Sequence, residues 1–156
     1  MLGEQIGEER GKVTARRVLS IDEGTKVEVG FQSSGKLLGV EHQSTVTYTA
    51  AVRPDGSIYG EAQGMVAGKG GERATFKAQG VGKILDGGGV SYRGAQYFYS
   101  DSPKFSGLNR IAVVFEYEAD AEGNTKSKLF RVKVGAPDGA ARGPSPSRLS
   151  PFFCLE

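Results

Sequence analysis

The chain has 156 residues, of which 24 are glycine, one is cysteine and one is histidine. That is one domain's length, and the single cysteine, Cys154, with the single histidine, His42, excludes a disulfide framework and the usual zinc frameworks. Twenty basic residues against eighteen acidic leave a net charge of +2 without blocks of either sign, and no apolar run reaches the length of a membrane span. A soluble, cytoplasmic domain is the expectation.

Taken in chain order, the period from residue 11 to 134 is two, the mark of strands, with turn residues at regular intervals. Lys12 to Ile21 reads as the first strand, closed by Asp22-Glu23-Gly24, and Lys26 to Ser33 as the second. Lys36 to His42 and Thr45 to Arg53 form two strands or one bent strand before the Pro54-Asp55-Gly56 turn. Ser57 to Ala67, Arg73 to Leu85 and Val90 to Tyr99 follow, separated by the glycine loops at 68–71 and 86–89. Ser100 to Asn109 is irregular, with room for one short helical turn near Lys104 to Leu108. Arg110 to Ala119 and Thr125 to Val134 make a last hairpin. Residues 135–156 hold four of the six prolines among Gly, Ser and Ala, and read as a flexible tail.

Eight or nine consecutive antiparallel strands close most readily on themselves, because closure removes exposed edges. The expected fold is therefore all-β: an antiparallel up-and-down, calycin-like barrel of about eight strands over residues 11–134, with a β-sandwich as the alternative.

The three central strands carry two distinct faces. Gly60, Ala62, Gly64, Phe76, Gly80, Gly82, Tyr92 and Gly94 alternate onto one, where small residues stand beside rings, such as Gly82 near Tyr92. Rows of glycine in strands imply close packing or strong curvature. The other face carries Glu61, Gln63, Lys77, Gln79, Arg93 and Tyr97. It looks at water if only one face is buried, the commoner arrangement. Alternatively it forms a polar lumen in which Glu61, Gln63, Gln79, Arg93 and Tyr97, with Glu116, bind a ligand.

The phrases Tyr59-Gly60-Glu61-Ala62-Gln63-Gly64, Ala78-Gln79-Gly80-Val81-Gly82 and Val90-Ser91-Tyr92-Arg93-Gly94-Ala95 resemble a family of small uncharacterised prokaryotic all-β proteins. In architecture the glycine-punctuated strands are also similar to allene oxide cyclase and dirigent barrels. That likeness implies a barrel holding an apolar or phenolic guest, and carries over no residue.

Other chemistry is thinly supported by the residues. His42, at a bend, reads as a surface residue, since catalysis would need a partner. Gly68-Lys69-Gly70-Gly71 lacks the spacing and the helix of a phosphate loop. Glu116 and Glu118 share a strand face, and pairing with Lys126 and Lys128 explains them better than a metal does. The expected function is binding of a small apolar or aromatic molecule, with cofactor-independent isomerase- or cyclase-like activity where there is catalysis. A structural or assembly module, homo-oligomers included, is the alternative. No metal, cofactor, nucleic acid or membrane partner is expected.

Overall fold

The computed structural model describes residues 2–133 and shows a closed barrel in which every strand pairs antiparallel with its sequence neighbours. Its strands are β1 (Leu2–Ser20), β2 (Lys26–Leu37), β3 (Val40–Val52), β4 (Ser57–Gly68), β5 (Arg73–Ile84), β6 (Val90–Tyr99), β7 (Val113–Ala119) and β8 (Asn124–Val132). Pairing of β1 with β8 completes the cylinder, so the sandwich alternative is set aside. The expected tail at 135–156 lies outside the described residues.

The alternation of side chains sorts the barrel wall into lumen and exterior. Ile58, Gly60, Ala62, Gly64 and Val66 face inward beside Ala74, Phe76, Ala78, Gly80 and Gly82, and β6 adds Tyr92, Gly94, Gln96 and Phe98. The expected pairing of Gly82 with Tyr92 is the observed one.

Glycine and ring are fitted to each other. A Cβ on Gly64 would lie 2.5 Å from the tip of Phe76, and one on Gly80 would lie 2.9 Å from the tip of Phe115. At Gly94 the obstacle is backbone: an added Cβ would run into the Gln79 carbonyl and come within 2.6 Å of the Gly80 Cα. Bare backbone therefore makes the room that the rings fill.

Two differences from the sequence reading concern the first three strands. β1 begins at Leu2 rather than Lys12, and Ile6 and Glu9 are buried. A bulge between Val13 and Ala15 then switches its inward set, so that Arg16 and Val18 stand opposite Val29 and Val27. In addition, β2 runs unbroken through Gly35, and the β2–β3 hairpin turns at Leu38-Gly39, with φ of 49° and 77°. A positive φ at leucine is uncommon, which is why composition pointed to no turn there.

The two barrel ends differ. Between β6 and β7 a short 3-10 helix, Pro103–Arg110, plugs one end by burying Phe105 and Leu108 completely against Ile6, Leu37, Val66, Phe98, Val113 and Leu129. Asn109 fastens it by donating from Nδ2 to the Ser100 carbonyl at 2.7 Å while its Oδ1 accepts from the Ser100 amide at 2.8 Å. Lys104 reaches Glu72 at 2.8 Å. Among the described residues no such plug covers the other end, where the turns after β1, β3, β5 and β7 lie.

Gly94→Ala is expected to destabilise the barrel by about 3 kcal/mol, because strand backbone cannot give way as a side chain can. Gly107→Ala, whose added Cβ meets nothing within 4 Å, should change stability by less than about 0.5 kcal/mol. Urea midpoints of the two variants against the parent chain measure the contrast.

Candidate functional site

Inside the barrel, between the plug and the open end, sits a buried polar cluster. Glu9 of β1 lies beside β2 and β8, opposite Gly35 and Ser127. Its Oε1 accepts from Ser44 Oγ at 2.8 Å and meets His42 Nε2 at 2.5 Å, while its Oε2 accepts from Ser33 at 3.1 Å and Ser127 at 3.3 Å. The His42 Nδ1 stands 3.4 Å from the Val40 carbonyl, so both ring nitrogens face acceptors. His42 is 2 % exposed, Ser44 1 % and Glu9 9 %, so this cluster is shielded from water. Burial alone would push the Glu9 carboxyl up. The bonds from His42, Ser44 and Ser33, together with the charge of His42, outweigh it and hold the carboxyl below its ordinary value.

His42 is thus not the surface residue the sequence suggested. It has the partner it needs, and the partner came from a segment too polar to read as strand. The inward positions Ser33 and Ser44 were the available signal, as short hydroxyls in otherwise apolar alternation.

Towards the open end the lumen becomes aromatic. Phe31, Tyr48, Tyr92 and Tyr117 pack with neighbouring ring centroids 5.1 to 6.3 Å apart, mostly edge-on or tilted. Burial, and next the neighbouring Tyr48, pushes the Tyr92 and Tyr117 phenols well above the ordinary tyrosine range, so both stay protonated. Their hydroxyl oxygens are buried; that of Tyr117 neighbours the Tyr48 hydroxyl, and among the described residues that of Tyr92 has no hydrogen-bond partner.

These rings separate two spaces. On the inner side is a chamber of about 70 Å³, bordered by Glu9, Phe76, Gln96, Phe115, Tyr117 and Ser127. On the outer side a funnel of about 410 Å³ opens at the mouth, walled by Val27, Val29, Ala50, Ile58 and Val90, with Arg16 at its rim. Tyr48 and Tyr92 border both spaces.

The six residues considered for a polar lumen stand on the opposite surface. Glu61, Gln63, Gln79, Arg93 and Tyr97 are exposed on the outer wall, and Glu116 lies half-buried beside them. The structure brings Arg93 and Glu116 together at 3.5 Å, with Glu118 at 3.8 Å from the same guanidinium. Glu61 instead accepts from Tyr59 at 2.9 Å. Gln63 and Gln79 share a shallow outer groove with Glu61, and Gln63 lines a neighbouring one with Tyr97. Once the glycine-and-ring face turns inward, a strand period of two sends every one of these positions out. Among the described residues no group of three or more His, Cys, Asp or Glu side chains is placed to hold a metal ion, and no helix is long and apolar enough to cross a membrane.

Comparison with solved structures places the barrel among small proteins of similar build. A protein with unknown function from Clostridium acetobutylicum superposes with a TM-score of 0.73 at 15 % identity, covering 83 % of this chain and 98 % of its own. A conserved protein of unknown function from Rhodopseudomonas palustris gives 0.70 at 13 %, covering 82 % and 95 %. A beta-barrel like protein from Acinetobacter baumannii gives 0.71 at 13 %, covering 85 % and 96 %. No protein-family model and no curated protein sequence matches the chain. At these identities the likeness is one of fold, so function has to be argued from the side chains.

Glu9→Gln should cost about 3 kcal/mol at pH 7, because it removes the buried carboxylate that His42, Ser33, Ser44 and Ser127 all bond to. The folded Glu9 titrates below its unfolded value of 4.5, so its contribution is complete above that pH and is lost as pH falls through the folded value. The gap between parent and variant should therefore narrow between pH 7 and pH 3, as read by urea titrations. On the outer wall Arg93→Ala should cost less than about 1 kcal/mol by the same assay, since its ion pairs are solvent-screened.

Proposed function

We propose that this barrel is a receptacle for a small apolar or aromatic molecule that enters by the unplugged end. The funnel carries this reading. At about 410 Å³ it falls within the roughly 300–1,000 Å³ of small-molecule sites, and its wall is aliphatic with an aromatic floor. Among the described residues one end is plugged and the other is not, so such a guest would enter by the latter. The architectural resemblance to allene oxide cyclase and dirigent barrels supports the same class of guest.

Any reaction here would rest on shaping the guest and on the hydrogen-bonding groups at the funnel floor. The Glu9 carboxylate is a poor base, because four hydrogen bonds hold it ionised. Isomerase- or cyclase-like chemistry would have to proceed from the tyrosines. The small inner chamber favours a second reading in one respect: at about 70 Å³ the middle of the barrel is close to filled, as in a structural module.

Native mass spectrometry on chain purified gently from cells separates the two. The receptacle reading expects a retained small molecule, lost on Val27→Trp, which fills the funnel from a half-buried wall position without touching the plug. A guest retained equally by that folded variant would place binding elsewhere. A clean apo mass accompanied by a defined oligomer would favour the structural module.

A further inference from the structure

Among the described residues three charged side chains border the funnel, Arg16, Arg17 and Asp120. Two of them are already engaged. Arg17 pairs with Glu28 at 2.9 Å, and the Asp120 carboxylate accepts from the Asn124 amide at 2.8 Å and from its Nδ2 at 2.7 Å. Arg16 stands in no ion pair among the described residues. The bulge between Val13 and Ala15 sets it opposite the inward Val29, and re-aiming a side chain is what bulges near binding sites do. Its charge acts on the buried phenols of Tyr48 and Tyr117, which agrees with a guanidinium over the funnel.

The surroundings narrow what Arg16 would hold. Below it Val27, Val29, Ala50, Ile58 and Val90 offer only aliphatic side chains, so the body of a guest is apolar and its charge sits at the mouth. A charged end at the mouth stays in water while the chain behind it is buried, which avoids the cost of desolvating an ion. One free guanidinium neutralises one negative charge, and Asp120 on the same rim opposes a second. A carboxylate therefore fits better than a phosphate dianion, and its two oxygens match the guanidinium fork. A cationic end would face Arg16 and find the one bordering carboxylate taken up by Asn124. The turn carboxylates of Asp22, Asp55 and Asp86 do not border the funnel.

We propose that the funnel takes an amphipathic monocarboxylate, with its carboxylate on Arg16 and its apolar body against the valines and the aromatic floor. The inference rests on the receptacle reading and deepens it, by giving the guest a charged end and an orientation. Arg16 is exposed, so its pull acts through water and is both modest and sensitive to salt. Affinity then comes from the buried chain, and the arginine selects the sign of the headgroup.

Three probes that share one chain test it: octanoate, octylammonium and 1-octanol, titrated calorimetrically into the full chain at low salt. Octanoate should bind about fivefold more tightly than octylammonium, the scale of one water-screened ion pair. In about 0.5 M salt that ratio should fall below about twofold. Arg16→Gln should abolish the preference and leave 1-octanol affinity within about twofold, since the uncharged probe makes no use of the guanidinium. Arg93→Gln removes the same charge from the outer wall and should leave the preference intact. Val27→Trp should exclude all three probes by filling the funnel.

Equal binding of octanoate and octylammonium, or a preference that survives Arg16→Gln, would overturn the carboxylate site and leave the receptacle standing. Tighter binding of octylammonium would overturn it in favour of a cationic guest. Octanoate held undiminished by Val27→Trp would overturn it by placing the acid outside the funnel. Failure of all three probes at their solubility limits would overturn the receptacle reading as well.

Discussion

The interior of an eight-stranded barrel is only wide enough for side chains or one small guest, so everything inside this molecule depends on how its rings are seated. Tyr92 lies over Gly82 and close to Gly60, Phe76 over Gly64, and Phe115 over Gly80. Each ring occupies volume that any other residue's Cβ would claim, and each glycine accepts the entropic cost of a bare strand position for that purpose. The rings in turn decide where space remains. Had they stood more upright, the inner chamber and the funnel would be one continuous lumen. Lying over the glycines, they form a floor, with a small polar chamber beneath it and an aliphatic funnel above.

The polar cluster below that floor serves the fold in a different way. A carboxylate and an imidazole placed in the middle of a barrel are costly unless fully bonded, and here Glu9 receives four bonds from partners on three strands: β2 through Ser33, β3 through His42 and Ser44, and β8 through Ser127. β1 supplies the acceptor. The seam where the barrel closes is β1 with β8, and Glu9 bridges that seam to the strands beyond it. A slipped register at the seam would leave a buried charge unpaired, a cost added to the loss of apolar burial that any slip brings. The cluster therefore specifies how the barrel closes more than it strengthens the closed state.

Much of this was legible from the chain, and the parts that were not have identifiable causes. The central strands could be placed because the Pro54-Asp55-Gly56 turn and the glycine loops at 68–71 and 86–89 pin both ends of β4 and β5. From those turns the alternation fixes Gly82 opposite Tyr92 and assigns the glycine face to one side. Which side was inside depended on closure, a property of all the strands together, and it removed Arg93, Tyr97 and their neighbours from the lumen. Glu9 was hidden for two reasons. Its segment, Gly3-Glu4-Gln5-Ile6-Gly7-Glu8-Glu9-Arg10, has the composition of a solvated terminus, and the register shift between Gln5 and Gly7 breaks the alternation that would have shown it inward. The Leu38-Gly39 hairpin escaped notice because leucine in the left-handed region has no compositional signature.

The bulge at Thr14 has a consequence at the other end of the barrel. Without it, strand alternation would send Arg16 outward; with it, Arg16 stands opposite the inward Val29 and lines the mouth. Its positive charge reaches the phenols of Tyr48 and Tyr117, where it opposes part of the upward push of burial. The guanidinium and the phenols stand at different depths of the barrel. An exposed guanidinium is screened by water and salt, so its field weakens over about a Debye length. The phenols lie where water is largely excluded, and there the cost of ionising them dominates. Burial therefore keeps the Tyr117 phenol protonated in spite of the cation at the mouth.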